Sequence, residues 1–194
     1  MDIQLSTITA GGRRKPEAEW TAQANKHVEK AVSEQMAQIG IHVLGPADVE
    51  EIERNADEKE RRIQLIKLHE AVGHSICRHE LGEDYLKLPG KNDKFDSSLG
   101  PEAKFLKEKY GADYALFVYL RDSYASGGRA ALCIVGVIFG APISGGVQFG
   151  FVSLVDLETG DVVWLNRLRR GVGDLRTQET ASNSVKVLLS NFPK

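Results

Sequence analysis

The sequence predicts one α/β domain in which helices pack on a single mixed sheet. Segments with helical and strand-like spacing follow one another along the chain, and the C-terminal half is rich in period-two apolar stretches. The composition, 42% hydrophobic and 27% charged, is typical of a soluble globular protein. A chain of 194 residues has the length of one ordinary domain. We therefore expect a single domain over residues 1–194 with the order β-α-β-α-α-β-β-β-β-α.

The N-terminal half predicts a β-α-β unit followed by a second helix. Residues 3–9 are strand-like, and residues 16–40 carry apolar side chains at three- and four-residue spacing up to Gly40, a suitable C-cap. Residues 41–44 predict a short buried strand, because the apolar run stops at a Gly-Pro pair. Asp48 is a suitable N-cap for the next helix, whose apolar stripe continues through Ile76.

The second half predicts a long loop and then a sheet. Residues 82–100 are rich in Pro, Gly, Asn, Asp and Ser and predict the loop; Pro101 then starts a short helix that ends at Gly111. Residues 114–120 predict a central strand, apolar on both faces, with a turn at 123–128. Three further strands, at 131–139, 147–157 and 162–168, are expected to complete an antiparallel meander, and residues 177–189 predict a closing helix.

Charge and cysteine content exclude several classes of partner and site. The net charge of −2 and the pI of about 6.2 give no general attraction to phosphate backbones, so no nucleic-acid partner is expected. Cys77 and Cys133 lack CxxC spacing; an oxidising compartment would permit one disulfide, but burial of cysteine favours two unpaired core thiols. The start of the chain has no signal-peptide pattern, and the longest apolar run, 130–142, is shorter than the roughly 20 residues of a spanning helix.

A histidine-rich stretch is the strongest local candidate for chemistry. His69 and His74 resemble the zinc motif HExxH with one residue too many, and residues at i and i+5 point to different sides of a helix. A different set at i, i+4 and i+7 shares one face, and these candidate metal ligands are Glu70, His74 and Cys77. Their apolar neighbours favour a packing role instead.

Other patterns give weaker candidates. The glycines between residues 127 and 150 follow neither GxGxxG nor the P-loop spacing, and no GxSxG elbow is present, so no cofactor and no catalytic residue is predicted. Carboxylates in the central loop are candidate acids or bases, although loops are rich in solvated carboxylates: Asp84, Asp93 and Asp96. An arginine cluster after the last strand either binds an anion or protects a sheet edge: Arg167, Arg169 and Arg170.

The apolar run 130–142 allows two interpretations. It is either a central strand covered by helices or one arm of an extended hairpin with residues 147–157. In the second case a membrane would contact one face of the hairpin in an oligomeric barrel, through Val147, Phe149, Phe151, Val155 and Leu157. The opposite face suits a protein core better than a water-filled lumen.

Two sequence marks resemble a known family. They are GADY before a strand, at residues 111–114, and VSLVDLxTGxVVW, at residues 152–164. In this order, with a closing helix, they resemble bacterial envelope lipoproteins with a TolB N-terminal-like, CsgG-related domain. The resemblance implies a periplasmic protein at the inner face of the outer membrane, anchored by lipid, that binds other envelope components without catalysing a reaction. This chain lacks the lipid-bearing cysteine at its start, so a cytoplasmic location stays open.

The sequence therefore supports three hypotheses. The first is a non-enzymatic interaction or assembly factor of the cell envelope. It binds an envelope protein or a second copy of itself through a sheet edge or the loop 82–100. Its only contact with the membrane would be an N-terminal lipid anchor, which this sequence lacks. The second is a metal-dependent hydrolase that uses residues 69–80. The third is a subunit of a secretion channel with a membrane-inserting hairpin at 130–157.

Overall fold

A computed structural model describes residues 1–45, 48–49, 52, 55–82, 95–171 and 173–193. Its strands are β1 (Asp2–Ile8), β2 (Arg14–Pro16), β3 (Tyr114–Ala125), β4 (Gln148–Asp156) and β5 (Val162–Arg170). Its longer helices are α1 (Ala18–Gln38), α2 (Ala56–His79), α3 (Lys104–Tyr110), α4 (Gly127–Ile138) and α5 (Gln178–Leu188), and a short 3-10 turn, Pro101–Ala103, precedes α3.

The strands form one mixed sheet in the order β2-β1-β3-β4-β5. β1 and β3 are parallel, and every other neighbouring pair is antiparallel. The predicted single mixed sheet with an antiparallel C-terminal meander is therefore confirmed. β1 and β3 end on the same side of the molecule, together with the start of β4 and the last residues of β5, and we call this side the upper end of the sheet.

Alternating side chains of the central strands supply two apolar cores. Val118, Leu120 and Val152 face α1 and α5, whereas Phe117 and Val155 face α2 and α3. Because a strand places successive side chains on opposite faces, a strand that is apolar throughout needs cover on both sides. The result is three layers, with α1 and α5 on one face of the sheet and α2 and α3 on the other.

The predicted strand at 131–139 is wrong, because this segment lies in α4. β3 already pairs with β1 on one side and β4 on the other, so it has no free edge for a further strand. Ser126 caps the helix by accepting a hydrogen bond from the Arg129 N–H, and the alanine and leucine residues that follow favour helix. A short apolar run cannot be assigned to strand or helix from periodicity alone.

Other boundaries also differ from the prediction. Residues 41–45 adopt no regular structure, so the predicted buried strand at 41–44 is wrong; the strand that pairs antiparallel with β1 is β2. β3 continues to Ala125, through part of the predicted turn. Residues 48, 49 and 52 are helical, as predicted near Asp48, but the long helix α2 begins at Ala56, because Asn55 has extended backbone and its side chain accepts a hydrogen bond from Glu58 N.

One glycine lets α2 lie directly on the sheet. A Cβ atom on Gly73 would lie 2.0 Å from the ring of Phe151, which is fully buried in β4. The two side chains that follow on this face of the helix, Ile76 and Cys77, are buried as well. The helix–sheet distance is therefore set by the absence of a side chain at position 73.

We predict that Gly73→Ala destabilises the fold by about 1–3 kcal/mol, because the added methyl group forces the Phe151 ring or the helix to move. Chemical denaturation with far-UV circular dichroism measures the change. Gly127→Ala is the matched control: nothing lies within 4 Å of its Cβ position, so this substitution should be neutral or slightly stabilising. Equal stability of the two variants would contradict the close approach of α2.

Candidate functional site

α4 leaves the sheet directly at the upper end of β3. The backbone N–H of Ser126 donates to the carbonyl of Ile8, which ties the start of the helix to β1. At the other end, Gly140 has a φ of +71° and closes the helix: its N–H donates to Val137 O, and Ala141 N–H donates to Gly136 O. This pairing satisfies carbonyls that a helix terminus otherwise leaves open.

The chain then returns along one side of α4 to β4. The Arg129 side chain donates from Nε to the carbonyl of Ser144, and a Cβ atom on Gly136 would lie 2.5 Å from Ala141 O. The chain rejoins the sheet beside Ser123 of β3, whose hydroxyl accepts a hydrogen bond from Val147 N. Residues 127–146 thus form one projecting unit, which we call the protrusion.

The protrusion exposes large apolar side chains. Their exposed fractions are greatest near its tip, at 65% for Ile134, 68% for Val137, 72% for Ile138 and 80% for Phe139. Arg129 is its only charged residue, and no charge follows until Asp156. A helix that is apolar all round is normally buried, and a contiguous exposed apolar patch marks a binding surface. The protrusion is therefore the best candidate for a functional site.

Basic side chains lie beside the base of the protrusion. Arg13, Arg14 and Lys15 are exposed on and beside the β1–β2 turn, and a Cβ atom on Gly12 in this turn would lie 3.9 Å from Nη1 of Arg129. We call these four residues, Arg13, Arg14, Lys15 and Arg129, the basic collar. Of the four, only Lys15 has a carboxylate of a described residue within 4.0 Å, that of Glu17.

A buried polar network fixes the upper end of the sheet. The Asp122 carboxylate accepts hydrogen bonds from Tyr124 OH at 2.6 Å, Gln148 Nε2 at 3.1 Å and Leu175 N at 3.2 Å. Gln148 in turn accepts from Arg170 Nε at 2.7 Å. Burial raises the pKa of Asp122, while these hydrogen bonds oppose the shift. The network connects β3, β4, β5 and the segment that enters α5, so the protrusion starts from a rigid support.

The histidine-rich stretch lies in α2 and faces the sheet. His69 is 2% exposed; its Nε2 lies 2.5 Å from the Ser153 hydroxyl, and its ring stacks on Phe117. Burial lowers the pKa of His69 to about 3. Ser153 is fully buried, so this histidine–serine pair has no access for a substrate. Its position is that of a packing pair between helix and sheet.

The three candidate metal ligands share a helix face but have separate partners. Glu70 lies 3.6 Å from the Arg121 guanidinium, and His74 stacks on the ring of Phe149. Burial raises the pKa of the Cys77 thiol to about 11, which disfavours the thiolate that metals bind. Cys77 is buried and unpaired, whereas Cys133 in α4 is partly exposed and also unpaired. Within the described ranges, no three His, Cys, Asp or Glu side chains are grouped to hold a metal ion.

The other predicted candidates lie apart from the protrusion tip. Arg167 donates to the carbonyl of Cys77, and Arg170 belongs to the polar network; Arg169 is exposed at the end of β5, an edge strand. Asp84 and Asp93 lie outside the described residues, as does most of the predicted loop. Its last part pairs with the sheet, because Ser98 forms a β-bridge with Asp161.

Comparison of this chain with protein-family models, characterised proteins and solved structures finds no match. Among the described residues, no helix has the length and apolar character needed to cross a bilayer. The candidate site therefore rests on geometry. Sequence reasoning identified the apolar run, but it assigned the run to a strand, either in the centre of the sheet or in a membrane-facing hairpin, and it assigned Arg13, Arg14 and Lys15 no role. The available signal was the lack of any charge between Arg129 and Asp156.

The buried His69 predicts a specific dependence of stability on pH. Its pKa is about 3 in the folded protein and about 6.5 when unfolded, so the unfolded chain binds the extra proton between these values and stability falls as pH falls below about 6.5. We expect this residue to remove about 2 kcal/mol of the free energy of unfolding between pH 7 and about pH 5.

Denaturant titrations of the wild type and His69→Gln at several pH values measure this contribution. Glutamine keeps a hydrogen-bonding group but does not titrate, so the variant should lose that part of the pH slope. His42→Gln, at an exposed position, is the control and should keep it. If the free energy of unfolding of His69→Gln changed with pH as steeply as that of the wild type, burial of a neutral imidazole would be contradicted.

Proposed function

We propose that this protein is a non-enzymatic interaction or assembly factor of the bacterial cell envelope that docks through the protrusion. The exposed apolar surface at residues 134–139 is the observation that carries the proposal. Folding leaves such a surface in water only at a cost, since burying apolar area is the main favourable term in both folding and association. A docking role accounts for its retention.

The rest of the structure supports a binding role. The protrusion extends from a sheet held on both faces by helices and at its upper end by the Asp122 network. Binding residues are commonly placed on such projecting segments of a rigid scaffold. The envelope part of the proposal is supported by the resemblance of residues 152–164 to TolB N-terminal-like envelope lipoproteins.

The two alternative functions find less support. A metal-dependent hydrolase that uses residues 69–80 needs side chains grouped to hold the metal, but Glu70 pairs with Arg121, Cys77 is buried, and the described residues contain no such group of three ligands. A barrel hairpin needs Phe151, Val155 and Leu157 on a lipid-facing surface, whereas all three lie in the core beneath α2 and α3. We therefore retain the docking function.

We predict that the double variant Val137→Ser/Phe139→Ser loses association with isolated bacterial envelopes. Purified protein is mixed with the envelopes, and the bound fraction is measured by sedimentation. Because the variant removes two large apolar contacts, its binding affinity should fall by roughly a hundredfold. Thermal stability should change little, because both side chains are exposed in the free protein.

The control for this experiment is Val163→Ser/Val187→Ser. These valines are 48% and 43% exposed on β5 and α5, away from the protrusion, so this variant makes the same kind of substitution elsewhere on the surface, over a smaller exposed area, and should bind as the wild type does. Envelope binding that survives in the protrusion variant, or that is lost equally in both variants, would contradict the proposed function.

A further inference from the structure

We infer that the protrusion binds an anionic phospholipid bilayer. Its tip inserts into one leaflet, and the basic collar binds the lipid headgroups. This inference rests on the proposed function and names the partner. Three features of the described residues carry it: the lack of polar side chains on the protrusion, the arrangement of charge at its base, and its length.

The side chains of the protrusion offer almost nothing to orient a protein partner. Between Arg129 and Ser144 the only side chain with a polar atom is Cys133. Specific protein interfaces carry several direct hydrogen bonds as well as apolar contact. The hydrocarbon of a membrane requires none, but it does require that backbone groups be paired within the inserted segment. Within α4 the helix supplies this pairing, and the hydrogen bonds donated by Gly140 N and Ala141 N extend it to the carbonyls of Val137 and Gly136.

The charge at the base matches an anionic surface. A Cβ atom on Gly128 would lie 3.5 Å from Cβ of Ala10, so the β1–β2 turn that leads to Arg13 is packed against the first turn of α4. The turn that carries the basic residues therefore lies next to the point where the apolar surface begins, while the chain as a whole has a net charge of −2. Basic groups next to an inserted apolar segment are drawn to anionic headgroups. A general attraction of the whole protein is not needed.

The length of the protrusion matches the depth of one leaflet. At about 1.5 Å per residue, α4 rises about 15 Å between Arg129 and Phe139. The hydrocarbon of one leaflet is also about 15 Å deep, half of the roughly 30 Å of a bilayer core. With the Arg129 backbone at the edge of the hydrocarbon and the helix along the bilayer normal, Phe139 would reach the middle of the membrane. The segment is too short to cross, so the inferred contact is with one surface only.

The test uses purified full chain and two kinds of vesicle: equal parts phosphatidylglycerol and phosphatidylcholine, or phosphatidylcholine alone. Co-sedimentation should show binding to the anionic vesicles that is at least tenfold tighter and weakens with added salt. Val137→Ser/Phe139→Ser should abolish it. Arg13→Gln/Arg14→Gln should weaken it about thirtyfold, since each basic residue near an anionic surface contributes about fivefold. Lys30→Gln/Lys186→Gln, a change of equal charge elsewhere on the surface, should have little effect.

Insertion has its own readout. Phe139→Trp should show a blue-shifted emission on anionic vesicles and quenching by brominated lipid chains, measured against the wild-type signal of Trp20 and Trp164. Val187→Trp, on α5, should show neither change. Binding without a shift at position 139 would overturn insertion of the tip.

The outcomes separate this inference from the proposed function. If the protrusion variant is released from isolated envelopes but no vesicle binds the wild type, the partner is a protein; the lipid inference is then overturned and the docking function stands. Self-association in sedimentation velocity that the same variant abolishes, without vesicle binding, assigns the surface to a second copy and also overturns it. Equal binding to both vesicle types refutes the role of the collar. If neither envelopes nor vesicles depend on the tip, both proposals are wrong.

Discussion

The central position of β3 is the constraint on which the rest of the structure depends. This strand pairs with β1 on one side and β4 on the other, and its side chains are buried on both faces. Helices must therefore cover both faces, and α1, α2, α3 and α5 do so. The apolar segment that follows β3 contributes no residue to either of the two cores. That segment leaves the sheet as α4 and stays exposed.

Two local devices maintain this arrangement. On one face, Gly73 lets α2 approach Phe151 closely, and a neutral His69 pairs with Ser153 inside the apolar layer. At the upper end, Asp122 is surrounded by donors from three neighbouring segments, which keeps its buried carboxylate satisfied. In both places the polar side chains are buried, so no substrate can reach them. Their role is to hold the sheet and its upper end in one geometry.

The sequence predicted the fold class, both long helices of the first half and the meander of β3, β4 and β5, because these elements have clear periodicity and clear end signals. It failed where periodicity carries no information. Residues 131–139 are apolar at nearly every position, and the lack of a free edge on β3, which excludes a further strand beside it, is a property of the whole sheet that the segment does not reveal. Arg13 and Arg14 could not be connected with Arg129 either, since they are distant in sequence and are brought to the same end of the sheet only because β1 and β3 are parallel neighbours.

The helical form of the protrusion also explains how the protein tolerates such a surface. An exposed apolar strand would present unpaired N–H and C=O groups and would promote edge-to-edge aggregation. In α4 the same side chains are carried on a backbone whose hydrogen bonds are made within the helix, and its last carbonyls are closed at Gly140. Repulsion between the basic collars of two molecules further disfavours association through this end. An apolar surface of this kind can stay available for a bilayer without offering other chains a template for strand pairing.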